Sequence, residues 1–338
     1  MDLREPVPAA VIDRFGGSPR IATIALPECP PGRTLIEVWA APLNPLDLLV
    51  ASGKFHSAGF ELPYVPGSEC AGTVVQSARF APGTWVYAEC YPPSATPGLF
   101  AHRAVVPDEN LCPIPDGVEP VLAAAVGNSG TAAYLSLVQE ASLQAGETVL
   151  ILGATGIVGQ IAVQVARSHR AGRVVGVGRD ETVLERLLGQ GADAVIALRP
   201  GEGETVLADR IRAAAGPVDV VLDGLYGTPL QAAVQACAPR ARVVNVGNLA
   251  GPTAQLPAGL LRSRQLTLSG FAGGLTPLAD KEQALAWLWA AAARGDLPIE
   301  VRTFPLQELP LAWRAQADSP HAKCVALPNG ALPSPSAA

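Results

Sequence analysis

Beyond residue 120, short apolar runs alternate with longer stretches in which apolar residues recur at helical spacing. The runs at 148–152, 173–177, 194–197, 218–222, 242–246 and 265–269 read as strands. Helical stretches separate most of them, and that alternation predicts βαβ units forming a parallel, doubly wound α/β sheet. The preceding part has another texture. Runs at 34–40, 72–76 and 84–88 alternate or are β-branched, with turn clusters such as Pro30-Pro31-Gly32 and Ala81-Pro82-Gly83 between them, so this part reads as β-rich. After Gly270 an Ala- and Leu-rich helix is expected from Lys281 to Arg294, closed by Gly295. Two short strands follow, at 299–304 and 323–327, and the Pro- and Ser-rich tail 330–338 is expected to be disordered.

Composition sets the class. A chain of 338 residues, 49% hydrophobic and 16% charged, is long enough for two domains and globular in balance. The net charge of −6 argues against a nucleic-acid or membrane-surface partner, since both need basic patches. The opening Met1-Asp2-Leu3-Arg4-Glu5-Pro6 lacks the apolar core of a signal peptide, and the apolar runs at 121–126 and 286–293 fall far short of a membrane span. The expectation is a soluble cytoplasmic protein. Its six cysteines lie far apart with no CxxC pair, which suits reduced, buried thiols and not a structural zinc lobe. Cys90 and Cys112 flank a Pro-rich stretch, but two isolated cysteines make no tetrahedral site.

The strongest local signal is Thr148-Val149-Leu150-Ile151-Leu152-Gly153-Ala154-Thr155-Gly156-Ile157-Val158-Gly159. A buried strand runs into a glycine turn, and Ile157, Val158, Ile161, Ala162, Val165 and Ala166 then line one helix face. The first glycine permits the tight turn, the second admits a pyrophosphate, and the third lets the helix pack on the strand. The spacing is GxxGxxG and not the usual GxGxxG, so a Gly-rich turn without a ligand is the competing reading. The next strand bears on the cofactor. An NAD site has an acid at its end, whereas here Gly178 and Arg179 stand there, which suits the 2′-phosphate of NADPH. Arg199 is a second candidate cation. Two alternatives stay open: Asp180 takes the acidic role slightly late, or Arg179 is simply solvated.

Several segments together resemble the medium-chain dehydrogenase/reductase superfamily: Asn44-Pro45-Leu46-Asp47, Pro66-Gly67-Ser68-Glu69-Cys70-Ala71-Gly72, the glycine turn, Gly191-Ala192-Asp193, Val218-Asp219-Val220-Val221-Leu222-Asp223, Val246-Gly247-Asn248 and Ala322-Lys323-Cys324-Val325. The resemblance runs from about Ala9 to Pro328. It implies a GroES-like β-rich catalytic domain over 1–123, a nucleotide-binding Rossmann domain over 124–270, and a return to the catalytic domain over 271–329. Zinc-dependent members carry Cys, His and Cys where this chain has Asn44, Ser68 and, less directly, Asn128, and Asn and Ser are poor zinc ligands. The Asn-Pro-x-Asp segment matches the zinc-independent, quinone-oxidoreductase-like (zeta-crystallin-like) branch, so no metal is expected.

That branch implies hydride transfer from NADPH to a quinone or to an activated C=C of an α,β-unsaturated carbonyl. Asn44 is then expected to contact cofactor and cleft, Asp47 to order the loop, Asn128 and Lys323 to lie at the cofactor, and Gly247, Asn248 and Phe271 to flank the nicotinamide. Enoyl reductases often carry a Gly-x-Tyr whose phenol gives the proton, and here Gly53-Lys54-Phe55 replaces it. Tyr64 and Tyr91 are substitutes by sequence, with Tyr64 the site candidate and aromatic packing the competing role for each. His56, His102, His169 and His321 show no metal-like spacing, and Ser129 lacks the Gly-x-Ser-x-Gly frame of a hydrolase. Two other functions stay open: a trans-acting enoyl-thioester reductase, and a non-catalytic NADPH-binding sensor or scaffold. The edges at 243–246 and 266–269, read with the family's habit, predict a homodimer.

Overall fold

The computed structural model describes residues 5–55, 61–91 and 98–332, and the chain divides into two compact units. His56 and most of the tail expected to be disordered, 333–338, lie outside the described residues. The first unit holds 1–128, 276–295 and 300–338, and the second holds 129–275 and 296–299.

The first unit begins with β1 (Val7–Val11) antiparallel to β2 (Arg20–Ile24). Then come β3 (Arg33–Pro42), α1 (Pro45–Ala51), β4 (Glu69–Gln76), β5 (Trp85–Glu89), β6 (Arg103–Pro107) and β7 (Leu111–Pro113). Pro45 occupies the first turn of α1, where a missing N–H costs nothing, and Asp47 Oδ2 accepts from Asn44 N at 2.8 Å. That bond ties the candidate Asn44 to the helix start. The helix α2 (Pro120–Tyr134) follows, and the division between units falls inside it.

The apolar run at 121–126 is part of something longer than the sequence suggests. With a π-helical turn, Leu135–Glu140, the helix extends over 21 residues, long and apolar enough to cross a membrane. However, 72% of its most apolar stretch is buried within the protein, which is the place of a core helix.

The second unit alternates strictly: β8 (Thr148–Leu152), α3 (Ile157–Ser168), β9 (Arg173–Gly178), α4 (Glu181–Gly189), β10 (Ala194–Ala197) and α5 (Glu204–Ala215). It continues with β11 (Val218–Asp223), α6 (Gly227–Ala236), β12 (Cys237–Asn245), α7 (Ala258–Arg264) and β13 (Thr267–Gly270). Among the described residues these strands form one parallel sheet of order β10-β9-β8-β11-β12-β13. Strand order reverses beside β8, and the carboxyl ends at such a reversal are where doubly wound folds bind ligands. The core of this unit includes Leu150, Val175, Val221, Leu230 and Val243.

The chain returns to the first unit through α8 (Leu278–Ala293), β14 (Val301–Pro305), α9 (Leu309–Ala317) and β15 (Lys323–Leu327). Among the described residues β15 is the last strand, and by joining β3 it completes the sheet order β14-β15-β3-β4-β5-β7, with β6 on β3. This puts Lys323 beside the segment that carries Asn44.

Candidate active site

In the second unit the candidate residues gather at the carboxyl ends of the strands. β8 leads into Gly153, whose φ of +88° favours glycine. A Cβ at Gly159 would lie 2.4 Å from Gly153 O and 2.5 Å from Ala154 Cα, so α3 can approach the turn this closely only with glycine there. Gly156 is different. It is exposed, and a Cβ there would meet only Gly153 O, at 3.5 Å. The turn thus presents open backbone at the start of α3, where Ile157 and Val158 begin the helix and its free amides and dipole favour an anion. Ala154 and Thr155 are buried beneath it.

Gly178 closes β9, and Thr155 Cγ2 would stand 2.4 Å from any Cβ placed on it. Arg179 follows, exposed. Gly178 pairs with Ala197 in β10, so Arg199 leaves the neighbouring strand end, also exposed. Asp180 is engaged elsewhere, since its Oδ1 accepts from Val183 N at 2.9 Å and caps α4. The acidic alternative read from the sequence therefore competes with a helix cap.

Asp223 ends β11 fully buried, and the sequence reading did not select it. Its Oδ1 accepts from Leu225 N and Tyr226 N at 2.9 and 2.8 Å, and its Oδ2 from Asn245 Nδ2 at 2.8 Å. Burial raises its carboxyl above the usual range, and these donors work against that. Asn245 Nδ2 also reaches Gly247 O at 2.7 Å, and Phe271 N donates to Asn245 O at 2.9 Å. Asp223 and Asn245 thereby fix the loops that carry Gly247, the exposed Asn248 and Phe271. The available signal was an acid closing an apolar, buried strand.

The first unit holds a buried polar cluster centred on Glu69. Its Oε1 accepts from Asn44 Nδ2 at 2.9 Å and from Lys323 Nζ at 3.1 Å. Its Oε2 accepts from Asn128 N at 2.7 Å and from the Tyr87 hydroxyl at 2.8 Å. Asn44 Nδ2 also donates to Ser68 Oγ at 3.1 Å, and Lys323 Nζ to Asn44 Oδ1 at 2.7 Å. Beyond Tyr87, Glu89 pairs with Lys281 of α8 at 2.5 Å, and both are buried. Three acidic side chains, Asp47, Glu69 and Glu89, are thus buried in one cluster with two lysines, which pair with Glu69 and Glu89. Burial is the largest cause that raises Asp47, to about 7, with the Asn44 and Ser68 bonds and Lys323 opposing it and Glu69 adding to it. Burial also raises Glu89, opposed by Lys281.

Asn44, Asp47, Asn128 and Lys323 are therefore brought together, while Glu69, Tyr87, Glu89 and Lys281 were not selected from the sequence as site residues. Tyr64 packs on the β-domain core, its main chain bridges Ile12, and burial followed by the Asp47 charge raises its phenol. Asn44, Ser68 and Asn128 all border Glu69, but they do not fit zinc. Amide and hydroxyl oxygens are poor donors for that metal, and the Lys323 ammonium already lies against Asn44 Oδ1 and Glu69 Oε1. Among the described residues no group of three or more His, Cys, Asp or Glu is arranged to hold a metal.

The family model for the alcohol dehydrogenase GroES-like domain matches residues 30–116, and the model described as zinc-binding dehydrogenase matches 158–290. Mouse prostaglandin reductase-3 is 31% identical over 278 residues, 80% of this chain and 72% of that protein. Pig quinone oxidoreductase is 28% identical over 317 residues, 92% of this chain and 93% of that protein. Among solved structures, a probable oxidoreductase from Mycobacterium abscessus is 28% identical with a TM-score of 0.82, covering 96% of this chain and 100% of that one. The crystal structure of AibC is 26% identical with a TM-score of 0.83, covering 96% of both chains. The chain belongs to the medium-chain dehydrogenase/reductase superfamily, with a GroES-like β domain and a Rossmann-like domain, and it is an oxidoreductase of that group.

Proposed function

We propose that this protein is a metal-independent, NADPH-dependent reductase of quinones or of the activated C=C of α,β-unsaturated carbonyls. The observation that carries the reading is the Lys323 ammonium bonded to Asn44 and Glu69, where the zinc-dependent relatives gather metal ligands. The quinone oxidoreductases and the prostaglandin reductase among its relatives support the reaction class.

The second unit fits a dinucleotide. The turn from Gly153 to Gly159 and the start of α3 would hold the pyrophosphate, with Gly156 giving close access to the backbone. Arg179 and Arg199 would grip the 2′-phosphate, while Gly247, Asn248 and Phe271 stand where the family places the nicotinamide. When bound, the nicotinamide supplies a hydride. In the first unit, Asp47 holds Asn44 through its backbone N–H, and Glu69 and Lys323 fix both ends of the Asn44 side chain. Both Nδ2 hydrogens are spent on Ser68 and Glu69, so this immobilised amide would meet a ligand only through Oδ1, without reorganising first. Asn128, anchored through its N–H on Glu69, adds a second fixed amide.

Among the described residues no disulfide joins the six cysteines, which supports residence in the reducing cytoplasm. The outermost strand β13 leaves Leu268 43% exposed, and we assign that edge to a second copy of the chain. A monomer mass in sedimentation at every concentration would exclude this dimer. The reaction itself is tested by NADPH oxidation against a panel of quinones and enones.

A further inference from the structure

We propose that Gln160 is a positioning residue for the cofactor's pyrophosphate, holding the glycine turn so that it shows the anion amides and no carbonyl; this rests on the nucleotide-binding reading above, and every residue concerned lies in the second unit.

A peptide in the turn can present either its N–H or its C=O to an approaching phosphate, with opposite effects. An N–H binds the anion, whereas a carbonyl oxygen carries partial negative charge and repels it. The peptide between Thr155 and Gly156 is the one with room to turn. Gly156 is exposed, a Cβ there would meet only Gly153 O at 3.5 Å, and glycine accepts either sign of φ.

The structure clamps this peptide at both ends. Gly156 N donates to Gly153 O at 3.0 Å, and Gln160 Nε2 donates to Thr155 O at 2.9 Å. Gln160 also takes the next carbonyl, because its main-chain N donates to Gly156 O at 2.9 Å. One residue thus grips two successive carbonyls, the first through its side chain and the second through its backbone. Gln160 is 5% exposed and Thr155 6%, so the side-chain bond lies beneath the turn, away from solvent. In a regular helix the Thr155 carbonyl would take the amide four residues on, that of Gly159. The Gln160 side chain stands in for that amide. The N–H groups of Ile157, Val158 and Gly159, at the start of α3, are then left for phosphate oxygens. Gly156, the N-cap, has no side chain to compete for them.

Two variants test this. Gln160→Met keeps the length of the side chain and removes the donor, while Gln160→Glu keeps the shape and donates only when protonated. Binding is measured by calorimetry with NADP⁺ and NAD⁺, whose pyrophosphates are the same. For each nucleotide the unmutated protein binds, Gln160→Met should weaken it by about five- to ten-fold, the worth of one hydrogen bond. The loss should be equal for the two, unlike the selective loss expected of Arg179→Ala. At about pH 8, Gln160→Glu should bind no better than Gln160→Met, because its carboxylate cannot donate. At about pH 5.5, where burial helps the carboxyl keep its proton, it should recover to within about two-fold of the unmutated protein. A glutamine that only packs against the helix would give no such rescue. If Gln160→Met fails to fold, the recovery of Gln160→Glu at low pH decides. Unweakened binding in Gln160→Met would overturn the proposal. So would a Gln160→Glu that binds no better than Gln160→Met at low pH, since only charge repulsion would then have been relieved. An unmutated protein that binds neither nucleotide would instead remove the nucleotide-binding reading.

Discussion

Lys323 Nζ lies 2.7 Å from Asn44 Oδ1, although the two residues are 279 positions apart in the chain. The contact exists because β15 pairs with β3, whose end leads into Asn44. Both side chains are buried, and the same ammonium serves Glu69. Lys323→Met would leave the Glu69 carboxylate buried without its cation. We expect a loss of about 3–5 kcal/mol in urea unfolding, since removing one partner of a buried pair strands the other charge. A loss within the range of an exposed pair, under about 1 kcal/mol, would show that Glu69 does not depend on this ammonium.

Asp47 gives a pH signature. Its carboxyl is raised from 3.8 to about 7 in the folded protein, so the native state holds this proton more tightly than the unfolded chain. The stabilisation is complete below the unfolded value and fades as pH rises through the folded one. Measured against Asp47→Asn, the unmutated protein should lose stability between pH 4 and pH 7, with a slope approaching about 1.4 kcal/mol per pH unit. Parallel stability curves for the two proteins would place the Asp47 proton elsewhere.

The glycine turn separates folding from binding. At Gly159 an added methyl group meets backbone atoms at 2.4 and 2.5 Å, which no side-chain movement relieves. Gly159→Ala should therefore cost at least about 1–3 kcal/mol of stability. Gly156→Ala has room in the protein, at 3.5 Å from its nearest neighbour, so its stability should be unchanged. The methyl would instead obstruct a pyrophosphate, and nucleotide affinity should fall roughly ten-fold or more. Equal nucleotide affinity in Gly156→Ala would remove the phosphate from this turn.

The arginines set cofactor preference. Arg179→Ala should weaken NADPH by roughly ten- to a hundred-fold and leave NADH nearly unchanged, with a larger loss when Arg199 is also replaced. The difference should shrink in high salt, because both residues are exposed. Fluorescence titration with both cofactors measures this, and equal losses for the two would make Arg179 a structural residue.

Much of the second unit was legible because its strands are continuous apolar runs, as in any sheet covered on both faces. β12 shows the limit. Pro239 and Arg240 interrupt its apolar pattern, and Arg240 has a φ of +65°, so the sequence reading begins at 242. The strand nevertheless starts at Cys237, with a register shift against β11 absorbing the irregular residues. The polar cluster was harder. Asn44 and Lys323 stand out one by one, but their contact depends on β15 returning to β3. The sequence reading starts its helix at Lys281, whereas α8 begins earlier, at Leu278, and turns Lys281 inward onto Glu89. A buried lysine has no local pattern, because its partner lies on a strand distant in sequence.

The most direct test of the account is nicotinamide oxidation by chelator-treated protein, followed by absorbance with NADPH and NADH against quinones and enones. The account predicts turnover of at least one acceptor, a clear preference for NADPH, and the same rate before and after chelation. No oxidation with any acceptor, a preference for NADH, or activity lost on chelation and restored by zinc would contradict it.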